Sequence, residues 1–307
     1  MGDRGIARRR LGRTGCEVAE IGLGGAWVLG RQGDRPFDEG VSLVRHALEL
    51  GIDYLDTAEC YVGGRSEEVF GAALEGWSRP AVVATKFGHR PADFDFSRDR
   101  VLESIAESRR LLGGRTIDLI QIHTPNEPAW EALFGSGGAI DGMREARERG
   151  WVRWFGITGR DVPFLLRCVR TNLFDTALMF LRYDLIDQTG EQVLVEAHDR
   201  DMGFIAASPL RMGMLGSARD AMISRASEPE RRRLEALDEL LGPAPSALPE
   251  AAYRFVLARP EVSVMLAGVT STEDLDSVVS ASTGSLTVEE VRAIRELSER
   301  YPGEAPL

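Results

Sequence analysis

Cysteine and histidine are scarce in this chain: three cysteines (Cys16, Cys60, Cys168) and four histidines (His46, His89, His123, His198) are scattered over 307 residues. The odd cysteine number and the absence of CxxC spacing argue against a disulfide framework and a zinc site, and there is no HExxH pair, so no metal is expected. Cysteine used this sparingly fits a reducing compartment, and the cytoplasm is the expected location. No apolar run is long enough to span a bilayer, so no membrane partner is expected. Five arginines near the N-terminus (Arg4, Arg8, Arg9, Arg10, Arg13), followed by the uncharged stretch Ile21 to Gly30, superficially resemble a secretory signal. Glu17 and Glu20 separate the two regions, four of the ten uncharged residues are glycine, and no small-residue cleavage pattern follows, all of which argue against one.

Positive charge is also in deficit. Lys and Arg number 37 against 48 Asp and Glu, a net charge of -11 that repels nucleic acid and anionic lipid, so a small neutral substrate fits better. Apolar residues at 43% and charged residues at 28% are ordinary for a folded chain with a sizeable core. The length suits one α/β barrel occupying residues 1–307 as a single domain.

Short β-rich apolar runs recur: IGLGG, DYLDT, AVVATK, DLIQIH, VRWFGIT, DTALMF, GFIAAS and VSVMLAG. Helix signals lie between them, such as Ser97 ahead of Val101, Leu102 and Ile105, with Gly113 and Gly114 closing the segment. Strands alternating with helices imply right-handed βαβ units, and eight such strands suit closure into a (β/α)8 TIM barrel. An open doubly wound sheet should carry GxGxxG with a helix opening directly after it, whereas GLGGAWVLG lacks that helix. The stretch RRRLGRTGCEVAEI reads as an N-terminal β-hairpin closing the barrel floor. Extra helices are expected after strand seven, where Ser227 and Glu230 form a capping-box pair, and at the C-terminus.

Asp56, Lys86 and His123 each fall at the C-terminal end of a consecutive strand, which in a barrel is the catalytic face. Tyr61 follows in the loop rising from the Asp56 strand. A tyrosine titrates near ~10 and needs a neighbouring cation to exchange protons readily at neutral pH. Lys86 supplies a cation, Asp56 would neutralise and orient it, and His123 would hydrogen-bond a substrate oxygen. Taken singly, a lysine at a strand end is usually a solvated charge and an aspartate before Thr57 a turn residue; it is their joint placement that points to carbonyl or alcohol chemistry.

LDTAECYVGGRSEEVFG resembles the aldo-keto reductase signature, in which four residues separate Asp and Tyr and a Gly-rich, Ser-Glu helix start follows. ATKFG and LIQIH supply the Lys and His segments in the expected order, and the likeness runs through nearly the whole chain. GITG, FDTALMFLRYDLID and AASPLRMGML resemble the L-galactose dehydrogenase and aldose 1-dehydrogenase branch. The resemblance implies a nicotinamide dinucleotide bound through Gly25, Ala26 and Thr158, through Ser208, Leu210, Gly213 and Leu215 around the pyrophosphate, and through Gly268, Thr270 and Ser271 at the adenosine end. It implies that Trp27 lines a substrate pocket. Many relatives have Ser-Asn at the positions of Thr158 and Gly159, Gln at Leu178 and an aromatic near Ala207. Cys60, beside Tyr61, reads as a space-filler or as a reactive thiol at the pocket floor.

The function implied is NAD-linked oxidation of an aldose to a lactone. The alternatives are NADPH-dependent aldehyde or ketone reduction, for which secondary metabolism is one setting, and a cofactor-binding regulatory subunit. NAD rather than NADP is expected because Val264 to Val279 holds no basic residue and offers Glu273, Asp274 and Asp276, which suit a ribose 2′-hydroxyl and repel a 2′-phosphate. Arg211 or an arginine distant in sequence could reach such a phosphate.

Overall fold

The computed structural model describes residues 5–89, 95–224, 226–242, 244 and 246–301. Each of the eight apolar runs is a strand, and each is short because a Gly, Pro or polar cluster ends it. After an antiparallel hairpin of β1 (Arg8–Arg10) and β2 (Glu17–Ala19) come β3 (Ile21–Gly24), β4 (Tyr54–Asp56), β5 (Val82–Phe87), β6 (Ile117–Ile122), β7 (Val152–Gly159), β8 (Thr176–Phe180), β9 (Gly203–Ala207) and β10 (Val262–Gly268). The last eight are parallel and close in the order β10-β3-β4-β5-β6-β7-β8-β9.

The two-residue repeat of the strands sorts their side chains into two cores. Leu55, Val83, Ile120, Ile157, Ala177, Phe204 and Met265 fall outward or between strands and helices, in the large cluster shared with the surrounding helices. Tyr54, Ala84, Leu119, Leu178, Ile205 and Val264 fill the barrel interior. Two residues further along their strands come Asp56, Lys86 and Gln121, so the same alternation that builds the interior layer stacks three polar side chains on top of it. The register confirms the placement, with Tyr54 opposite Val82, Asp56 opposite Ala84 and Lys86 opposite Gln121.

The hairpin stoppers the other end. Leu11 and Val18 are buried within the interior cluster, and Gly12, with φ +49°, bridges to Met202 so closely that a Cβ would lie 2.2 Å from the Gly203 nitrogen. Of the arginines that resembled a signal segment, Arg4 lies outside the described residues and the other four have structural partners. Arg9 donates to the carbonyls of Leu257, Arg259 and Val262 at 2.6–2.8 Å, and Arg8 and Arg10 pair with Asp53 and Asp201.

Extra helices follow β9 at Arg219–Ile223 and Glu228–Leu241, the second opened by the Ser227–Glu230 capping box, and Val288–Arg300 ends the fold. Among the described residues no helix is long and apolar enough to cross a membrane.

Candidate active site

Asp56, Tyr61, Lys86 and His123 meet at the C-terminal mouth of the barrel, all lining one cleft of about 1280 Å³. Lys86 is almost wholly buried; its ammonium donates to Asp56 Oδ1 and, at 2.8 Å, to the Thr57 carbonyl. The second Asp56 oxygen accepts from Gln121 Nε2 at 2.8 Å. Lys86 Nζ lies 4.6 Å from the centre of the Tyr61 ring, and the His123 ring stands edge-on to that ring with 5.4 Å between centroids. His89, exposed at the rim, stacks obliquely on His123 at 4.6 Å, and Cys60 Sγ is 3.6 Å from His123 Nδ1. The loop that carries Tyr61 is anchored from below, where Thr57 donates to Ser66 Oγ at 2.8 Å and Ser66 donates to the Gly25 carbonyl at 2.9 Å.

Of the other residues expected in the site, Ala26, Trp27, Thr158, Ser208, Leu210, Gly213, Gly268 and Thr270 line the same cleft. Thr158 also ties two strand ends together, donating to the Ile122 carbonyl at 3.1 Å and accepting from the Thr124 amide at 3.0 Å. Gly268 gives Trp27 room, since a Cβ there would lie 2.9 Å from its Cδ1. Three expected contacts are not in the lining. Gly25 is packed beneath it against Ser66 and Phe70, Leu215 turns into the hydrophobic core, and Ser271 caps the helix Thr272–Ser282 by accepting from the Asp274 amide at 3.1 Å. Arg211 is likewise not available to a phosphate: it is fully buried, with Asp184 at 2.9 Å and Glu230 at 3.0 Å.

The sequence profile described as the aldo/keto reductase family matches residues 20–299. The chain belongs to that family. It is 29% identical to L-galactose dehydrogenase of Arabidopsis thaliana, over 95% of each chain, and 28% identical to pyridoxal 4-dehydrogenase of Microbacterium luteolum, over 87% of this chain and 90% of the other. A solved aldo-keto reductase from Bacillus halodurans, in its holo form, superposes with a TM-score of 0.79 at 26% identity, covering 95% of this chain and 96% of that one. The protein is therefore an oxidoreductase that works with a nicotinamide cofactor.

In this aldo-keto reductase burial sets the protonation states. It depresses Lys86, but Asp56 and Tyr61 more than offset it and hold the ammonium above its ordinary value. Burial lifts the Tyr61 phenol above its usual 10 despite the opposing pull of Lys86. The cation thus pulls in the expected direction, limiting the rise without reversing it. His123 is pushed well below 6.5, first by burial and then by Lys86 and His89, and is neutral at pH 7. Burial drives the Cys60 thiol up to about 11, which favours the space-filling role over the reactive one.

One participant was missed in the sequence, and one signal for a residue that was found was overlooked. Gln121 was read simply as part of a strand, although its register two residues past interior Leu119 was a signal. Lys86 is the only lysine in the chain, all other basic residues being arginine, and a lone exception of that kind marks a position that guanidinium cannot fill.

Proposed function

We propose that this enzyme oxidises the hemiacetal carbon of an aldose to a lactone with NAD as acceptor. The reading is carried by the charge of the cleft beside β10. Glu250, Asp274 and Asp276 line that end, and Arg31, which reaches its edge over Trp27, is engaged by the Met212 carbonyl. Arg254, one turn beyond Glu250, is engaged with Glu250 at 2.8 Å and with the Ala281 carbonyl at 3.0 Å. A 2′-phosphate would meet net negative charge there, whereas a ribose hydroxyl finds acceptors. Asp274 already accepts from Thr270 Oγ1 at 3.0 Å and Asp276 contacts His46 Nε2 at 2.7 Å, so both carboxylates are held in place. Glu273, expected to contribute, is not in the lining, and Glu250 takes its place.

The remaining lining suits a dinucleotide. The cleft exceeds the roughly 300–1,000 Å³ of a drug-sized pocket. Ser208, Arg211, Met212 and Gly213 have φ of +61°, +48°, +57° and +99°, a left-handed run that non-glycine residues avoid. The Arg211, Gly213, Met214 and Leu215 amides donate to carbonyls within the loop, which holds it in a fixed shape against which the pyrophosphate would lie. Arg31 adds a cation beside it, donating to the Met212 carbonyl at 3.0 Å and lying 5.2 Å over Trp27.

A nicotinamide held in this cleft would supply the hydride acceptor. Tyr61 Oη takes the proton of the hemiacetal hydroxyl, so that the C–H and O–H bonds of the substrate are exchanged for the lactone carbonyl. Lys86 favours the phenolate that receives the proton, Asp56 and Gln121 fix the ammonium, and neutral His123 hydrogen-bonds the reacting oxygen. The raised Tyr61 phenol favours a second reading, reduction of an aldehyde or ketone, because a protonated tyrosine is a ready proton donor.

A panel of free aldoses with NAD and NADP, beside an aldehyde panel with the reduced cofactors, tests both readings by nicotinamide absorbance. The expected result is aldose oxidation with kcat/KM favouring NAD by at least about tenfold, or roughly 1.4 kcal/mol. Equal use of the two cofactors, or NADP preference, contradicts the cofactor reading. Aldehyde reduction without aldose oxidation selects the reductase.

A further inference from the structure

The two ends of the cleft differ in charge. Beside β10 the lining is acidic. At the catalytic end the one lining carboxylate, Asp56, is consumed by Lys86 and Gln121, and Lys86 is consumed in turn by Asp56. What is left over is Arg160.

Arg160 directly follows the last residue of β7, two positions beyond Thr158 and one strand over from β6, which His123 follows. It is half-buried and lines the cleft. Among the described residues its guanidinium has no ion-pair or hydrogen-bond partner, and the carboxylates of Asp161, Glu127 and Asp187 have partners of their own. Asp161 accepts from the Phe164 amide at 3.0 Å, Glu127 pairs with Arg167, and Asp187 pairs with Arg182 at 2.9 Å. The other arginine lining the cleft, Arg31, is occupied by the Met212 carbonyl and the Trp27 ring.

A half-buried guanidinium without a counter-ion in the protein is left to water, and an anion entering the cleft satisfies it with charge as well as hydrogen bonds. This is a chain in which carboxylates outnumber basic residues, so leaving one arginine unpaired at the catalytic mouth is informative. The planar fork of one guanidinium matches one carboxylate, two bonds to two oxygens and one charge to one charge. A phosphate monoester, with close to two charges, would need a second cation.

We propose that Arg160 binds a carboxylate on the substrate, so that the enzyme acts on a sugar acid of the uronic type or another small carbonyl compound bearing a carboxylate. The inference rests on the cleft being the hydride-transfer site. It revises the neutral substrate suggested by net charge: overall charge sets the long-range field, whereas the contact is set by the one local group without a partner.

Reduction of 4-carboxybenzaldehyde and 4-nitrobenzaldehyde compares two activated aldehydes of similar size that differ in charge, and it needs no sugar specificity. The wild type is expected to favour the carboxylate. In Arg160→Met the ratio of the two kcat/KM values should fall by about tenfold to a hundredfold, the range for a hydrogen bond to a charged group, with the loss in KM, and Arg160→Lys should recover part of it. Calorimetric titration with 4-carboxybenzyl and 4-nitrobenzyl alcohol reads the same preference without turnover. A ratio unchanged by Arg160→Met in both measurements overturns the inference, as does an equal loss for both ligands. A carboxylate preference in the titration with no reduction of either aldehyde would instead count against the proposed reaction.

Discussion

Replacing Lys86 with methionine removes the only ammonium group of any side chain in the protein, and its consequences can be worked from the geometry. Lys86 Nζ lies 4.6 Å from the Tyr61 ring centre, at which an effective dielectric near 20 gives an attraction to the phenolate of about 3–4 kcal/mol. Because one pKa unit corresponds to about 1.4 kcal/mol, the Tyr61 pKa should rise by roughly two units or more. Lys86 pulls the phenol downward in the wild type, so its loss moves the phenol up, and at any pH below that value the phenolate population drops by a factor of about a hundred. Oxidation, which needs phenolate, should slow by about that factor at pH 8, and the alkaline limb of its pH profile should move upward. The same change leaves Asp56 buried with Gln121 as its remaining side-chain donor, for a stability loss of about 3–5 kcal/mol. The double variant Asp56→Asn/Lys86→Met removes both charges, so it should recover most of the stability and none of the rate. Thermal melting and a pH-rate series separate the two effects. A single variant with unchanged rate and profile would refute the reasoning.

In the wild type, with Tyr61 above 10, kcat/KM for oxidation should climb across pH 7–9 while reduction, which uses the protonated phenol, stays flat; a plateau in oxidation near pH 7 would contradict this. Gln121→Leu removes one donor to Asp56 and should lower turnover by about tenfold with cofactor affinity preserved, and Gln121→Glu, which sets a second carboxylate against Asp56, should be worse than Gln121→Leu; the reverse order would show that Gln121 only fills space. Alkylation of Cys60 at pH 7.5 should run about a hundredfold more slowly than that of an ordinary thiol, given a thiol raised from 9.0 to about 11, and mass spectrometry of the labelled peptide would detect a fast reaction that overturns it.

Most of the architecture could be read from the sequence because each barrel strand is an apolar run ended by turn residues, and because the hairpin and the Ser227–Glu230 capping box are local patterns. The four candidate catalytic residues were legible for a related reason: strand ends define a barrel's active face, and a residue's distance from its own strand end is written in the sequence. Side-chain direction in irregular loops is not written there. Leu215 and Ser208 share one loop, yet one turns into the core and the other lines the cleft. Arg211 looked available for a phosphate, but its left-handed backbone turns it inward to Asp184 and Glu230, partners that lie 27 and 19 residues away. Glu250 joins the cleft lining beside β10 from a helix after the β9 insertion, and only packing of that helix against its neighbour brings it there. Gln121 and Arg160 needed the folded cleft for a different reason: what marks each is its partners, present for one and missing for the other.

The central claim is that Tyr61 exchanges the proton that accompanies hydride transfer. Tyr61→Phe tests it most directly, because it removes one oxygen from a ring whose packing against His123 and Lys86 is otherwise kept. Turnover and nicotinamide cofactor affinity should be measured on the same preparation. The account predicts a fall in kcat of at least about a hundredfold, the lower end for general acid-base catalysis, with cofactor binding preserved. Turnover close to that of the wild type would contradict it.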